Sequence, residues 1–142
     1  MTILVVDGQG GGIGSRLILE LRAALADSVE IIAVGTNSLA TNSMLKAGAG
    51  MGATGENPVL YNSSRADVIV GPIGIMSANS MRGEITPAMA SAIAGSDAQK
   101  ILVPVSRCSV SVAGVENAPL ETYIKRAVEM AARMLRTGTG TV

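Results

Sequence analysis

Histidine is absent from all 142 residues. That removes the commonest acid–base side chain and the commonest metal ligand together. A His/Cys zinc site and a Ser-His-Asp triad are both excluded within the chain. Aromatic residues number two tyrosines, with no Phe and no Trp. Stacking platforms for single-stranded nucleic acid need more than that. Formal charge is zero, with 11 basic and 11 acidic residues, so no basic field argues for nucleic acid or an anionic membrane surface. One cysteine rules out an internal disulfide and fits a reducing compartment. No apolar run approaches the roughly 20 residues that span a bilayer, and no basic segment precedes the first apolar run. The expected location is the cytoplasm. Any catalysis must come from carboxylates, the thiol, tyrosine, lysine or a bound cofactor.

What is present is glycine, concentrated near the start. Ile3-Leu4-Val5-Val6-Asp7 runs into Gly8-Gln9-Gly10-Gly11-Gly12-Ile13-Gly14, five glycines in seven positions. Apolar residues then recur at Ile13, Leu17, Ile18, Leu21 and Leu25, which is helical spacing. An apolar strand, a glycine turn and a helix start form a phosphate-binding βα unit, because amides at a helix N-terminus attract anions. The plainer alternative is a tight crossover without a ligand.

Further apolar runs at 29–34, 66–70 and 101–105 read as buried parallel strands. Helices are expected from Leu39 to Ala47 with Asn37 or Ser38 as N-cap, from Pro87 with Thr86 as N-cap, and from Pro119 onward. Residues 48–58 read as an irregular glycine-rich loop, 59–61 as a short edge strand, and 110–113 as an edge strand. The pattern predicts one Rossmann-like α/β domain over residues 1–136, with a mainly parallel sheet whose central strand precedes the glycine loop. Residues 137–142 are expected to be a flexible tail. Ligands in such sheets bind where strand order reverses.

Gly8-x-x-x-Gly12-Ile13-Gly14 resembles the G-x-x-x-G-I-G loop of short-chain dehydrogenases. Asp67-Val68-Ile69-Val70-Gly71-Pro72-Ile73-Gly74-Ile75 is similar to that family's D-V-L-V-N-N-A-G-I segment. The resemblance implies an NAD(P)-binding Rossmann domain. Gly8, Gly12, Ile13 and Gly14 would line the pyrophosphate, with Gln9, Gly10 and Gly11 in the same loop, and Gly71, Pro72 and Gly74 would lie by the cofactor. The family's Y-x-x-x-K pair is missing, since Ala127 stands four residues after Tyr123. Thr36 and Asn37 occupy the end of strand two, where an acidic ribose contact is expected. Asp7-Gly8-Gln9-Gly10-Gly11-Gly12-Ile13-Gly14, Gly35-Thr36-Asn37-Ser38-Leu39-Ala40-Thr41 and Gly52-Ala53-Thr54-Gly55-Glu56-Asn57 together resemble a small bacterial family that is a domain of unknown function. That likeness spans nearly the whole chain and implies no activity.

The expected function is binding of a nucleotide, NAD(P) or a related one, or of another phosphate-bearing small molecule, without dehydrogenase catalytic residues. The alternatives are a small enzyme acting on a phosphorylated or carboxylate metabolite, and a structural or regulatory oligomer with an empty loop. Candidate catalytic residues are Asp7, Glu56, Arg82 and Cys108. Asp7 either fastens the glycine turn or meets a ligand hydroxyl. Glu56 is a general base if desolvated. Arg82 and Arg107 pair bidentately with anions or lie solvated. Cys108 gains thiolate character from Arg107 or is a small buried hydrophobe. Asn57, Asn79 and Glu84 are expected at the same end of the sheet. No metal site is expected, the alternative being Mg²⁺ between Asp7, Glu56 and a phosphate. A homo-oligomer, a dimer in the first instance, would complete the pocket of so short a domain.

Overall fold

The computed structural model describes residues 1–105 and 109–137. Strand β1 (Thr2–Asp7) leads through the glycine loop into helix α1 (Gly12–Ala24). Then follow β2 (Glu30–Gly35), α2 (Ser38–Lys46), β3 (Met51–Thr54), α3 (Glu56–Ser63) and β4 (Val68–Pro72). A short 3₁₀ turn (Ile73–Met76), α4 (Pro87–Ala94), β5 (Gln99–Val103) and α5 (Leu120–Thr137) complete the order. The sheet runs β3-β2-β1-β4-β5 and every pairing is parallel.

The apolar runs are continuous because both faces of the sheet are covered. Ile3 and Val5 face one side, where Leu17, Ile18 and Leu21 of α1 meet Ile124, Ala127, Val128 and Ala131 of α5. Leu4 and Val6 face the other, against Val59 of α3 and Met89, Ala90 and Ile93 of α4. Each fully buried Leu, Ile or Val contributes about 1.5–3 kcal/mol relative to exposure. With almost no aromatics to fill volume, small residues let the layers approach. A Cβ on Gly52 would come to 3.0 Å from the Leu45 side chain, so glycine there lets α2 pack close to β3.

The expected helix boundaries have visible causes. Asn37 accepts from the Ala40 amide at 2.9 Å and caps α2. Thr86 Oγ1 accepts from the Met89 amide at 3.1 Å, and Pro87 takes the first helical position of α4. Helix α2 closes with Gly48 at φ +119, whose amide bonds Leu45 O, while the Ala49 amide bonds Met44 O. This is the paired closure that places glycine just past a helix.

Three expectations fail. Residues 48–58 are not a loop: Met51–Thr54 pairs with β2 from Ile32↔Met51 to Gly35↔Thr54. The strand hid because Met-Gly-Ala-Thr has little β-branched character, and its pairing comes from position alone. Residues 59–61 lie within α3 and not in a strand. A short apolar run is ambiguous by period, and Pro58 sits in the first turn, where its missing N–H costs nothing. Residues 110–113 form no strand; Val110 and Val112 are 43% and 45% exposed. Alternating Val and Ser matches a half-buried strand, but a strand also needs a neighbour to bond. Thr137 ends α5, and residues 138–142 lie outside the described residues.

Candidate functional site

The chain leaves β1 at Asp7, whose carboxylate accepts from the amides of Gly8 at 2.7 Å and Gly14 at 2.8 Å. Both oxygens are thus engaged in fastening the turn. Burial pushes the Asp7 carboxyl above the usual range, against the opposing pull of the Gly14, Gly8 and Ile13 amides; the nearby Glu84 charge adds to the rise. Gly11 sits at φ +70 and its amide bonds Gly8 O at 2.9 Å. Its own carbonyl receives the amide and hydroxyl of Ser15.

The five loop glycines divide by cause. A Cβ on Gly8 would reach 2.6 Å from Thr36 Oγ1, one on Gly11 2.8 Å from Ala40 O, and one on Gly14 2.5 Å from Met44 Sδ. Those three are glycine because the fold leaves no room. Gly10 and Gly12 are different: among the described residues nothing lies within 4 Å of a Cβ on either, and neither has positive φ. Among the described residues their amides also donate to no protein group.

Gly10 and Gly12 border a cleft of about 870 Å³, within the range of small-molecule sites. It opens at the C-terminal ends of β1 and β4, where strand order reverses. Asp7, Gly8, Gly11 and Ile13 complete the loop side. Ile73, Pro104 and Val105 form the far side, and Val110, Val112 and Val115 contribute apolar surface. Tyr123 at the start of α5 lines it too and donates its hydroxyl to Glu116 O. One cation reaches the cleft among the described residues: Arg16, exposed and one helical turn after Gly12. It makes no ion pair or hydrogen bond within them.

The β2 side of the loop is occupied by the protein itself. Glu84 Oε1 accepts from the Gln9 amide at 2.9 Å, from Asn37 Nδ2 at 2.8 Å and from Thr36 Oγ1. Asn37 Nδ2 also donates to Gln9 O at 2.9 Å. Partial burial opposes ionisation of Glu84, but the Thr36, Gln9 and Asn37 hydrogen bonds together outweigh it and hold the carboxyl below the usual range. The 77–85 segment that carries Glu84 has Asn79, Met81 and Arg82 at φ 66, 55 and 56. Such left-handed residues persist where surroundings overdetermine them. Here the Asn79 amide bonds Ile85 O at 2.7 Å, Ser80 donates to Gly74 O, and Ile85 is fully buried.

The remaining candidates scatter. Gly71, Pro72 and Gly74 are buried and do not line the cleft; Ile73 between them does. A Cβ on Gly71 would lie 2.4 Å from Val6 O, so that glycine serves strand packing. Thr36 and Asn37 stand beside the loop but outside the cleft, engaged with Glu84. Glu56 begins α3, accepts from Thr86 Oγ1 at 2.6 Å, and does not line the cleft. Arg82 is exposed on the 77–85 segment and does not line the cleft. Asp7, Glu56 and Arg82 therefore do not meet in the cleft. Arg107 and Cys108 lie outside the described residues. Among those described, no group of three His, Cys, Asp or Glu side chains could hold a metal. Sequence reasoning had no role for Arg16; its i,i+4 spacing from Gly12 was the signal that the two share one side of α1. Nothing local announced the contact of Glu84 with Gln9, 75 residues away.

Residues 2–136 match the family described as domain of unknown function DUF3842, and the chain belongs to that family. No curated protein sequence matches it. Among solved structures, it resembles a dodecameric FMN-dependent Ubix-like decarboxylase from Escherichia coli O157:H7, with a TM-score of 0.52 and 14% identity over 98% of this chain and 96% of that one. It also resembles the crystal structure of AibC, with a TM-score of 0.49 and 20% identity over 96% of this chain and 39% of that one. The first likeness is one of fold: a Rossmann-like α/β domain with a parallel sheet.

Proposed function

We propose that this protein binds a nucleotide or a similar phosphate-bearing small molecule, with the phosphate on the amides of Gly10 and Gly12. The observation that carries this reading is that, among the described residues, both positions would accept a side chain and both have amides with no protein acceptor at the start of α1. Arg16 supplies the matching cation at the same helix end. The apolar walls of Ile73, Pro104 and Val115, with Tyr123, suit a flat ring system beyond the phosphate. Flavin mononucleotide is the first ligand to try, because a protein sharing the fold is FMN-dependent; a bound flavin would supply redox chemistry. NAD(P) is the second, on the glycine-loop resemblance. The residues bind and orient a ligand in this reading; no Tyr-Lys pair of the dehydrogenase kind accompanies them. Among the described residues no helix is long and apolar enough to cross a membrane, and a cytoplasmic location belongs to the same proposal.

Thermal denaturation with FMN, AMP, NAD or inorganic phosphate tests it. A ligand at 100 times its Kd adds about 2.7 kcal/mol of stability, a clear rise in Tm that Gly12→Glu abolishes. The proposal is overturned if none of the four shifts Tm at millimolar concentration, or if the shift survives Gly12→Glu.

A further inference from the structure

The glycine loop has two sides. Toward β4 it opens into the cleft; toward β2 it meets Thr36 and Asn37, where a dinucleotide would lay its second nucleoside across the end of the strand. That second path is built over. Glu84 Oε1 fills it with three hydrogen bonds, to Gln9 N, Thr36 Oγ1 and Asn37 Nδ2. Met81 Sδ stands 2.7 Å from where a Gly8 Cβ would be, so the thioether covers the first glycine as well. Neither Thr36 nor Asn37 borders the cleft. The segment that brings Met81 and Glu84 there is anchored by buried Ile85 and by the Ser80 to Gly74 hydrogen bond.

From this we infer that Glu84, backed by Met81, is a specificity-determining plug that makes the site favour ligands with a single nucleoside over dinucleotides. The inference rests on the nucleotide-binding reading above and names its ligand class. The carboxylate takes the Gln9 amide that a second phosphate would use, and its negative charge repels one. A ligand with a single phosphate monoester meets only Gly10, Gly12 and Arg16, and leaves the plug in place.

The test compares matched pairs, FMN against FAD and AMP against NAD, by calorimetry on the full chain. Wild type is expected to prefer the mononucleotide of a bound pair by about tenfold or more. Glu84→Ala removes both bulk and charge and brings that ratio near unity, chiefly by tightening the dinucleotide. Glu84→Gln keeps the bulk and one acceptor and retains most of the preference. Equal binding of both members by wild type overturns the inference while leaving nucleotide binding intact. So does an unchanged ratio in a folded Glu84→Ala protein. Should Glu84→Ala not fold, the wild-type ratio and Met81→Ala, expected to weaken the preference, decide it. Binding of no member of either pair overturns this inference, and with no response to inorganic phosphate it overturns the underlying reading as well.

Discussion

At the scale of single residues, the five loop glycines carry separable duties. Gly14 underlies helix–strand contact, and any Cβ there drives into Met44 Sδ and the Asp7 side chain. Gly14→Ala is expected to destabilise the fold by about 1–3 kcal/mol, the cost of overpacking. Gly12→Ala meets nothing among the described residues and begins a helix. It should leave stability unchanged or raise it by about 0.4–1 kcal/mol through the unfolded chain, while weakening phosphate binding. Urea denaturation of the two variants checks this; equal losses of stability would remove the distinction between fold glycines and site glycines. Glycine density alone marked the loop in the sequence. Which glycines face open space was not legible, because it depends on Thr36, Ala40, Met44 and Met81, brought in by other elements.

At the scale of elements, the 77–85 segment depends on an ionised Glu84. Its carboxyl is held low by three hydrogen bonds that prevail over burial. For a lowered carboxyl, the stabilising contribution is present above the unfolded value and is lost as pH falls through the folded value. The Gln9 amide proton, bonded to Oε1, should therefore titrate in NMR spectra with a midpoint below that of an ordinary exposed glutamate. A midpoint at or above the ordinary value would show that the clasp is not made to the charged form. Asp7 has the opposite sign. Its raised carboxyl makes stability decline as pH climbs from the unfolded value through the folded one. The two carboxylates flank one loop with opposed slopes. Helix ends were readable in advance, with Asn37 or Ser38 and Thr86 as N-caps and a stop after Ala47, since capping chemistry is local. The helix at Glu56–Ser63 and the strand at Met51–Thr54 were not, since their sequences are short and ambiguous and their partners distant.

At the scale of the whole molecule, the sheet leaves β3 at an open edge with Met51 52% exposed, and Leu39 of α2 and Tyr61 of α3 exposed as well. The strand carries no charged residue and its outer edge pairs with no described strand, so its N–H and C=O groups are open to pairing with another chain. We propose assembly into a homo-oligomer, at least a dimer, through this exposed edge. Light scattering behind size exclusion should give a mass at least twice that of the chain, and a monomer mass at micromolar concentration would defeat the proposal.

The sequence by itself determined the class of fold, the position of the glycine turn between β1 and α1, and the exclusion of histidine chemistry. Those follow from composition and from periodicities confined to short stretches of chain. The tertiary structure alone decided what surrounds the turn. It turned Asp7 inward to tie Gly8 and Gly14, left Gly10, Gly12 and Arg16 facing a cleft, and set Glu84 over Gln9, Thr36 and Asn37. Glu56 and Arg82, equally polar and equally placed in sequence, were carried elsewhere. The reason is physical: a backbone turn is specified by neighbours in sequence, whereas a binding surface is assembled from loops whose approach depends on how the whole sheet and its helices pack.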